Sequence, residues 1–456
     1  MLITRLFLII IGLNLSSGIA AASFLNLREF FDLSEKNDPE FKKIFAEEEK
    51  SKYIHDQGLP SPKTTVGLEH NYGLISGSPA HSSALTGAIT RDIVETGTSL
   101  SLTHSKTSRL TRKGNVTSLQ IEQSLYKNIF GRDVRLQEDS LDLQTEIIKL
   151  NVLENYENYL LSILTIYLDF KKTDLDFQLA EKNYTEAQVL KENVRRKFKS
   201  NIATKTDLNR SELLVLNRKE DVINKRNLLM SKKYEIQKII GLDHELSGAN
   251  PIDEISSSFE IKKIDQQQQK VENLRPILIA NLNQQIASKK HIQLERANDP
   301  TFNFVAGFNH DKSTGSNTVI IRNETTVGFK LEIPLGDSKS KADAQLANVE
   351  LYKTQLSFRS MVLESTRKIE DYKNKIKEFF NKIQLNKQQV QLTKSILVDE
   401  EKRYAYGKID LEKLIETKNN YAEYRFQYQA NLVEYAKNYL EWLSLNDQLI
   451  EFKNKI

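Results

Sequence analysis

Two stretches of this chain are too long, read as helices, to be covered by any compact core. Residues 130–199 run without Pro and with helix-forming residues throughout, and at 1.5 Å per residue they extend roughly 105 Å. A second stretch, about 340–405, has the same character. Each has shorter partners that would lie alongside it. Segments 204–241 and 266–298 would span about 57 Å and about 50 Å, and stacked end to end they match the first rod. Segments 410–447 and about 26–57 would flank the second in the same way. Along the second rod Ile369, Tyr372, Ile376, Phe379, Ile383, Val390 and Leu397 keep the three-four spacing of a coiled-coil seam. The positions between are mostly Lys, Glu, Asn and Gln, a solvated face. Rods of this length need neighbours along their whole extent.

The composition agrees. With 17 Gly and 8 Pro in 456 residues and 39% hydrophobic residues, long helices are favoured over a loop-rich sandwich. The net charge of +4 gives no concentrated basic face, so nucleic acid is not an expected partner.

The chain reads as two related halves. Asn37-Asp38-Pro39-Glu40 precedes Leu59-Pro60-Ser61-Pro62 in the first, and Asn273-Leu274-Arg275-Pro276 precedes Asn298-Asp299-Pro300 in the second. Each is followed by strands, a long helix, a tight turn (Lys199–Ala203 and Tyr406–Ile409) and a second helix. The strands alternate with period two. Val327, Phe329, Leu331 and Ile333 alternate with polar or small neighbours, as do Phe302, Phe304, Ala306 and Phe308. Val66, Leu68 and Tyr72, then Leu100 and Leu102, then Leu119 and Ile121, repeat the pattern. A membrane β-barrel with a wet lumen and a soluble antiparallel sheet fit this periodicity equally. The halves differ in one place: 62 residues separate Pro62 from Ser124, against 34 from Pro300 to Pro334. The surplus lies in the Ser/Gly/Thr-rich run 76–114. Within it, 96–104 is either an added extracellular hairpin or the membrane strand in place of 64–72.

The N-terminus has a short basic start, an apolar run Leu6–Leu15 and a small-residue segment in which Ala20 and Ala22 suit a cleavage site. These are the parts of a secretory signal peptide, too short to span a bilayer as a helix. The tilt toward a barrel comes from this export signal together with the long helices. Four or five strands cannot close a barrel alone, and an open edge in lipid is forbidden, so several chains are expected to share one. The seven His are scattered, and no metal-ligand spacing, nucleophile elbow or phosphate loop is present. No enzyme activity, cofactor or metal is expected.

Residues Arg403 to Glu416, with Tyr404-Ala405-Tyr406-Gly407-Lys408-Ile409 at the centre, resemble the second periplasmic turn of the TolC-like outer-membrane factors. Arg196 to Leu208, ending in Thr206-Asp207-Leu208, resembles the first turn. Val327 to Gly336, with Ile333-Pro334-Leu335, resembles the strand that leads into a long helix, and Ile239-Ile240-Gly241 the end of the first half. The resemblance implies a mainly α fold with β: long antiparallel helical hairpins forming an α-barrel, plus a four-stranded contribution from each chain to a trimeric membrane β-barrel. It implies a homotrimer in the cell outer membrane, reaching into the periplasm and meeting a periplasmic adaptor and an inner-membrane pump. The function implied is a passive exit duct for efflux or type I secretion. A soluble periplasmic coiled-coil scaffold or adaptor is the alternative.

The same resemblance assigns residues. Tyr404 and Asp207 would link the two hairpins at a periplasmic gate. Thr206 would face Ile409, where the family usually has Arg, so that second link is missing. Glu416 would form an acidic ring, and Lys413 stands where a second would be, opposing the field. Asn201, Ile202, Gly407 and Lys408 form the adaptor-contact turns; Gly407 suits a left-handed turn position and Asn201 is the next most tolerant residue there. The expected organisation is a signal peptide (1–22), then a first repeat (23–241) with strands within about 63–125 and a turn near 201. A mid-height linker (242–265) leads to a second repeat (266–447) with strands within about 300–335 and a turn near 407, and to a C-terminal tail (448–456).

Overall fold

The computed structural model describes residues 27–59, 64–74, 81–109, 112–241, 271–315 and 318–455. The expected signal peptide and the mid-height linker lie outside them.

Three short helices open the fold: α1 (Leu27–Asn37), α2 (Pro39–Lys50) and α3 (Ile54–Gly58). Asp38 separates the first two, its side chain accepting from the Glu40 amide, with Pro39 at the first helical position where its missing N–H costs nothing. Strands β1 (Thr64–Leu74), β2 (His81–Ile93), β3 (Thr98–Arg109) and β4 (Arg112–Ser124) follow, then α4 (Arg132–Lys199) and α5 (Lys205–Ile240). The second half holds α6 (Arg275–Arg296), β5 (Thr301–Thr314), β6 (Val319–Glu332), α7 (Ser338–Ala405), α8 (Leu411–Leu445) and α9 (Leu449–Lys455). Helices α4 and α7 have 68 residues each, about 100 Å. Among the described residues no helix is long and apolar enough to cross a membrane.

The expected four strands are six. They form one antiparallel sheet in the order β1-β2-β3-β4-β5-β6. Residues 96–104 therefore neither leave the sheet as an appendage nor replace 64–72. They enter β3, two strands away from β1, with β2 between. The described part of the Ser/Gly/Thr-rich surplus is mostly strand because ladder hydrogen bonds and Thr–Thr or Thr–Ser pairs, such as Thr86 with Ser105 at 3.1 Å, suit small β-branched and hydroxyl side chains. The turn between β2 and β3 sits against the start of α4. Gly131 has φ +72, and a Cβ there would fall 2.0 Å from the Glu95 carbonyl oxygen, so only glycine fits the junction.

The helices lie four abreast in both halves of the rod. Near the interhelical turns the contacts give the order α5, α4, α8, α7; nearer the sheet they give α2 and α3, α4, α6, α7. The N-terminal helices thus lie against α4, and not beside α7 as the stacking of lengths suggested. A core forms at mid-height, where Phe30 and Phe31 meet Leu160, Ile163, Tyr167 and Phe170 of α4, Ile236 and Ile240 of α5, Ile376 and Ile383 of α7, and Val433 and Trp442 of α8. The segment read as a tail forms α9, whose Leu449 is wholly buried in this core. The predicted seam of α7 is real: Ile376 and Ile383 are buried, and Ile369, Tyr372 and Phe379 pack against the same core.

The outer flanks are another matter. Leu213, Leu216, Ile223 and Met230 of α5, and Leu346, Val349, Leu356 and Leu363 of α7, are exposed apolar residues at three- and seven-residue spacing. Such seams belong against another helix, and among the described residues no helix covers them.

Mid-height also holds a buried charge cluster. Arg275, opening α6, lies 2.6 Å from Glu157 and 3.6 Å from Glu154 of α4, and 3.1 Å from Asp447 at the corner between α8 and α9. Asp447 also accepts from the Arg275 amide at 2.7 Å. One guanidinium thus ties the first half, the second half and the C-terminus. Burial pushes the Glu154 and Glu157 carboxyls above the usual carboxylate range, against the pull of Arg275.

Candidate functional site

Two regions are candidates for function: the interhelical turns and the faces of the sheet.

The two turns are copies of one another. After α4, the Ile202 amide donates to the Lys197 carbonyl at 2.9 Å, and Asn201 between them has φ +55. After α7, the Lys408 amide donates to Arg403 at 2.8 Å, and Gly407 has φ +70. This is the six-to-one closure of a Schellman turn, which needs one left-handed residue. Asn201 and Gly407 fill that place, as the sequence indicated. The next helix is capped at the same offset in each. The Thr204 hydroxyl accepts from the Asp207 amide at 3.1 Å, and Asp410 accepts from the Lys413 amide at 2.8 Å. Ile202 and Lys408 are exposed at the apices.

The expected gate contacts form only in part. Asp207 is engaged by its own cap: its Oδ2 accepts from the Thr204 amide at 2.9 Å and from the Thr204 hydroxyl at 2.7 Å. It makes no hydrogen bond to Tyr404, though the two are near enough that Asp207, after burial, helps to raise the Tyr404 phenol above its ordinary value. Tyr404 instead meets Lys197. The ammonium sits 3.9 Å from the ring centroid and donates to the Tyr404 carbonyl at 3.0 Å. Thr206 is exposed in the first turn of α5, while Ile409 packs into a second apolar cluster with Leu190, Val194, Leu411 and Leu414. Glu416 is paired with Lys413 at 3.0 Å, and that pairing holds the Lys413 ammonium above the usual lysine range.

Sequence reasoning missed what joins α5 to α8. Arg210 reaches Glu412 at 2.9 Å and Arg218 reaches the Asn419 side-chain oxygen at 2.5 Å. The only sequence signal for either pair was its nearness to the turns. The same end carries a groove of roughly 930 Å³ among the ends of α4, α7 and α8, lined by Val189, Lys197, Val398, Glu401, Tyr404 and Lys418 among others.

The sheet separates its side chains by face. The register aligns Val66 with Ile89, Ile89 with Leu102, Leu102 with Leu119 and Leu119 with Phe308. On the same face, Ile121 meets Ala306 and Ala306 meets Val327, while Phe304 meets Phe329. One face therefore carries an apolar band across all six strands. The other carries Thr65, Thr90, Ser101, Gln120, Gly307 and Thr326 in one row, and Gly67, Ala88, Thr103, Ser118, Asn309 and Glu324 in the next. The apolar face is open to solvent in the single chain: Leu68 is 79% exposed and Phe329 67%.

No protein-family profile matches the sequence, and no curated protein matches it. Solved structures do. The fold is similar to that of CusC, studied for its folding and transmembrane channel formation, with 10% identity, 91% of each chain covered and a TM-score of 0.71. It is similar to the outer membrane protein VceC from Vibrio cholerae, at 9% identity over 92% of this chain and 96% of that one, TM-score 0.68. It is also similar to the open state of the MtrE outer membrane channel of Neisseria gonorrhoeae, at 12% identity over 92% and 89%, TM-score 0.67. The long hairpins, the repeated turns and the two-faced sheet agree with these likenesses in giving this chain the TolC-like fold of the outer-membrane channels.

Proposed function

We propose that the protein is an exit duct of the outer membrane, passively conducting cargo from an inner-membrane pump through the periplasm and out of the cell. The observation that carries this reading is the sheet: six strands, an apolar band on one face, small polar side chains on the other and an open edge at each side. In lipid such a sheet satisfies its edges only by closing with other copies. The uncovered apolar seams of α5 and α7 call for the same neighbours along the rod. A homotrimer is the assembly we infer, with the helices forming a tube below the barrel.

In this reading the turns face the periplasm. Asn201, Ile202, Gly407 and Lys408 would meet the adaptor, with the groove among α4, α7 and α8 beside them. The gate would be held by Arg210–Glu412 and Arg218–Asn419, with Lys197 on Tyr404, while Asp207 serves the first cap with Thr204 and Thr206 stays exposed. With Lys413 neutralising Glu416, selection for cations at this end is weak. A soluble scaffold would leave the apolar sheet face in water, at a cost of about 25 cal/mol for each Å² exposed.

The test is the native mass and location of the full chain. A detergent-dependent particle of about three chain masses in the outer-membrane fraction is expected. A monomer or dimer in the soluble periplasmic extract would sink the duct.

A further inference from the structure

We propose that neighbouring copies join β6 to β1, so that all six strands of each chain enter the wall and three copies make an eighteen-stranded barrel as wide as the helical tube beneath it. This rests on the duct reading and adds to it.

Three observations lead there. First, the strand count is even and the sheet is a simple antiparallel succession. Strand β6 therefore runs opposite to β1, and a neighbour's β1 can continue the ladder antiparallel. Second, the faces match. The edge strands carry Val66, Leu68 and Tyr72 on β1 and Val327, Phe329 and Leu331 on β6, all exposed and all on the apolar face. Joining the edges without turning a strand over continues the apolar band outward. On the other face Glu69 of β1 and Arg322 of β6 supply opposite charges. Third, the sheet edges stand above the matching flanks of the rod. Strand β1 follows α3 on the α2 side, and β6 leads into α7. The copy that covers the α7 seam is the copy that reaches β6.

The width follows from packing distances. Four helices abreast at about 9 Å apart occupy about 36 Å of circumference per chain. Strands about 4.8 Å apart and tilted by about 40° occupy about 6.3 Å each around a barrel, so six take about 38 Å and four would take only about 25 Å. Six strands thus continue the tube without a taper. Three copies give a wall about 36 Å across, against about 24 Å for twelve strands by the same spacing. Lumen-facing Ser99, Ser101, Thr103, Ala84 and Ala88 are too small to fill it. The bore at the membrane is then no narrower than the helical tube, and the limit on cargo width lies at the turns.

The chain has no Cys, so paired substitutions can report the joint in native outer membranes. We would combine Thr65→Cys, Gly67→Cys or Glu69→Cys on β1 with Arg322→Cys, Glu324→Cys or Thr326→Cys on β6. The comparison set replaces the β1 partners by Ser101→Cys, Thr103→Cys or Ser105→Cys on β3. The expected result is oxidation to a covalent trimer for at least one β1–β6 combination and none for β3–β6. Cross-links between β3 and β6 would mean that β1 and β2 lie outside a twelve-stranded wall; they would overturn the proposal and leave the duct intact. Electron microscopy of the unaltered particle supplies the second measurement, with about 36 Å expected across the wall and about 24 Å overturning it. A protein that is soluble and unassembled would overturn both readings.

Discussion

At the scale of single residues, the two left-handed positions make opposite predictions. Gly407 has open space where a Cβ would sit, so Gly407→Val tests backbone strain alone. The cost expected is about 1–2 kcal/mol, read as faster hydrogen exchange of the Lys408 amide. Asn201→Gly removes a mild strain at φ +55 and should leave the Ile202 amide as protected or slightly more so. A second residue-scale prediction concerns Arg275. Its three carboxylate neighbours include Glu157, whose side chain is 1% exposed. Arg275→Met leaves buried charge uncompensated and should cost about 3–5 kcal/mol at pH 7. Because Glu154 and Glu157 hold their protons to a higher pH in the folded chain than in the unfolded one, this cluster contributes less stability as pH rises through that interval. Without Arg275 the carboxyls rise further, so the deficit of the variant should shrink as pH falls toward the ordinary glutamate value. Emission of Trp442, the single Trp and 2% exposed, follows unfolding in both.

At the scale of elements, the caps and the ties between hairpins separate local stability from gating. Thr204→Ala opens the reciprocal bond with Asp207 and should cost about 1 kcal/mol at the start of α5, visible as roughly fivefold faster exchange at the Asp207 amide. The pair Arg210→Ala and Arg218→Ala removes the two polar side-chain contacts from α5 to α8 nearest the turns and leaves Lys225 over the Phe426 ring. An exposed ion pair such as Arg210–Glu412 and an exposed hydrogen bond such as Arg218–Asn419 are each worth about 1 kcal/mol, so the melting of the particle should hardly move. Conductance in planar bilayers should nevertheless rise, if these contacts hold the end of the tube together. Unchanged conductance would remove them from the gate.

For the whole molecule, the distribution of apolar surface governs behaviour. Among the described residues the larger core is at mid-height, around Tyr167, Phe170 and Trp442, with a smaller cluster near the turns. The rest of a rod about 100 Å long depends on neighbours. Dissociation in denaturant should therefore loosen the flanks of α5 and α7 before Trp442 is exposed, a sequence of events that hydrogen exchange resolves. Unfolding of all helices in one step would show that the mid-height core has no stability of its own.

The sequence alone determined the rods, their turns, the duplication and the presence of two-faced strands. Those are local properties: side chains recur every 3.6 residues on a helix and every two on a strand, and the left-handed position of the two interhelical turns favours Gly or Asn. Even the seam of α7 could be read residue by residue. Tertiary structure alone decided the number of strands, because β2 and β3 carry mostly Ser, Thr and Ala on the face opposite the apolar band, and alternation there is faint. It decided that α2 lies on α4 rather than beside α7, since matching lengths do not say which flank is shared. It also decided that Asp207 serves Thr204 while Tyr404 takes Lys197. A carboxylate three residues from an N-cap hydroxyl finds that partner at no entropic cost of loop closure, whereas a bond between hairpins must hold two long helices in register to form.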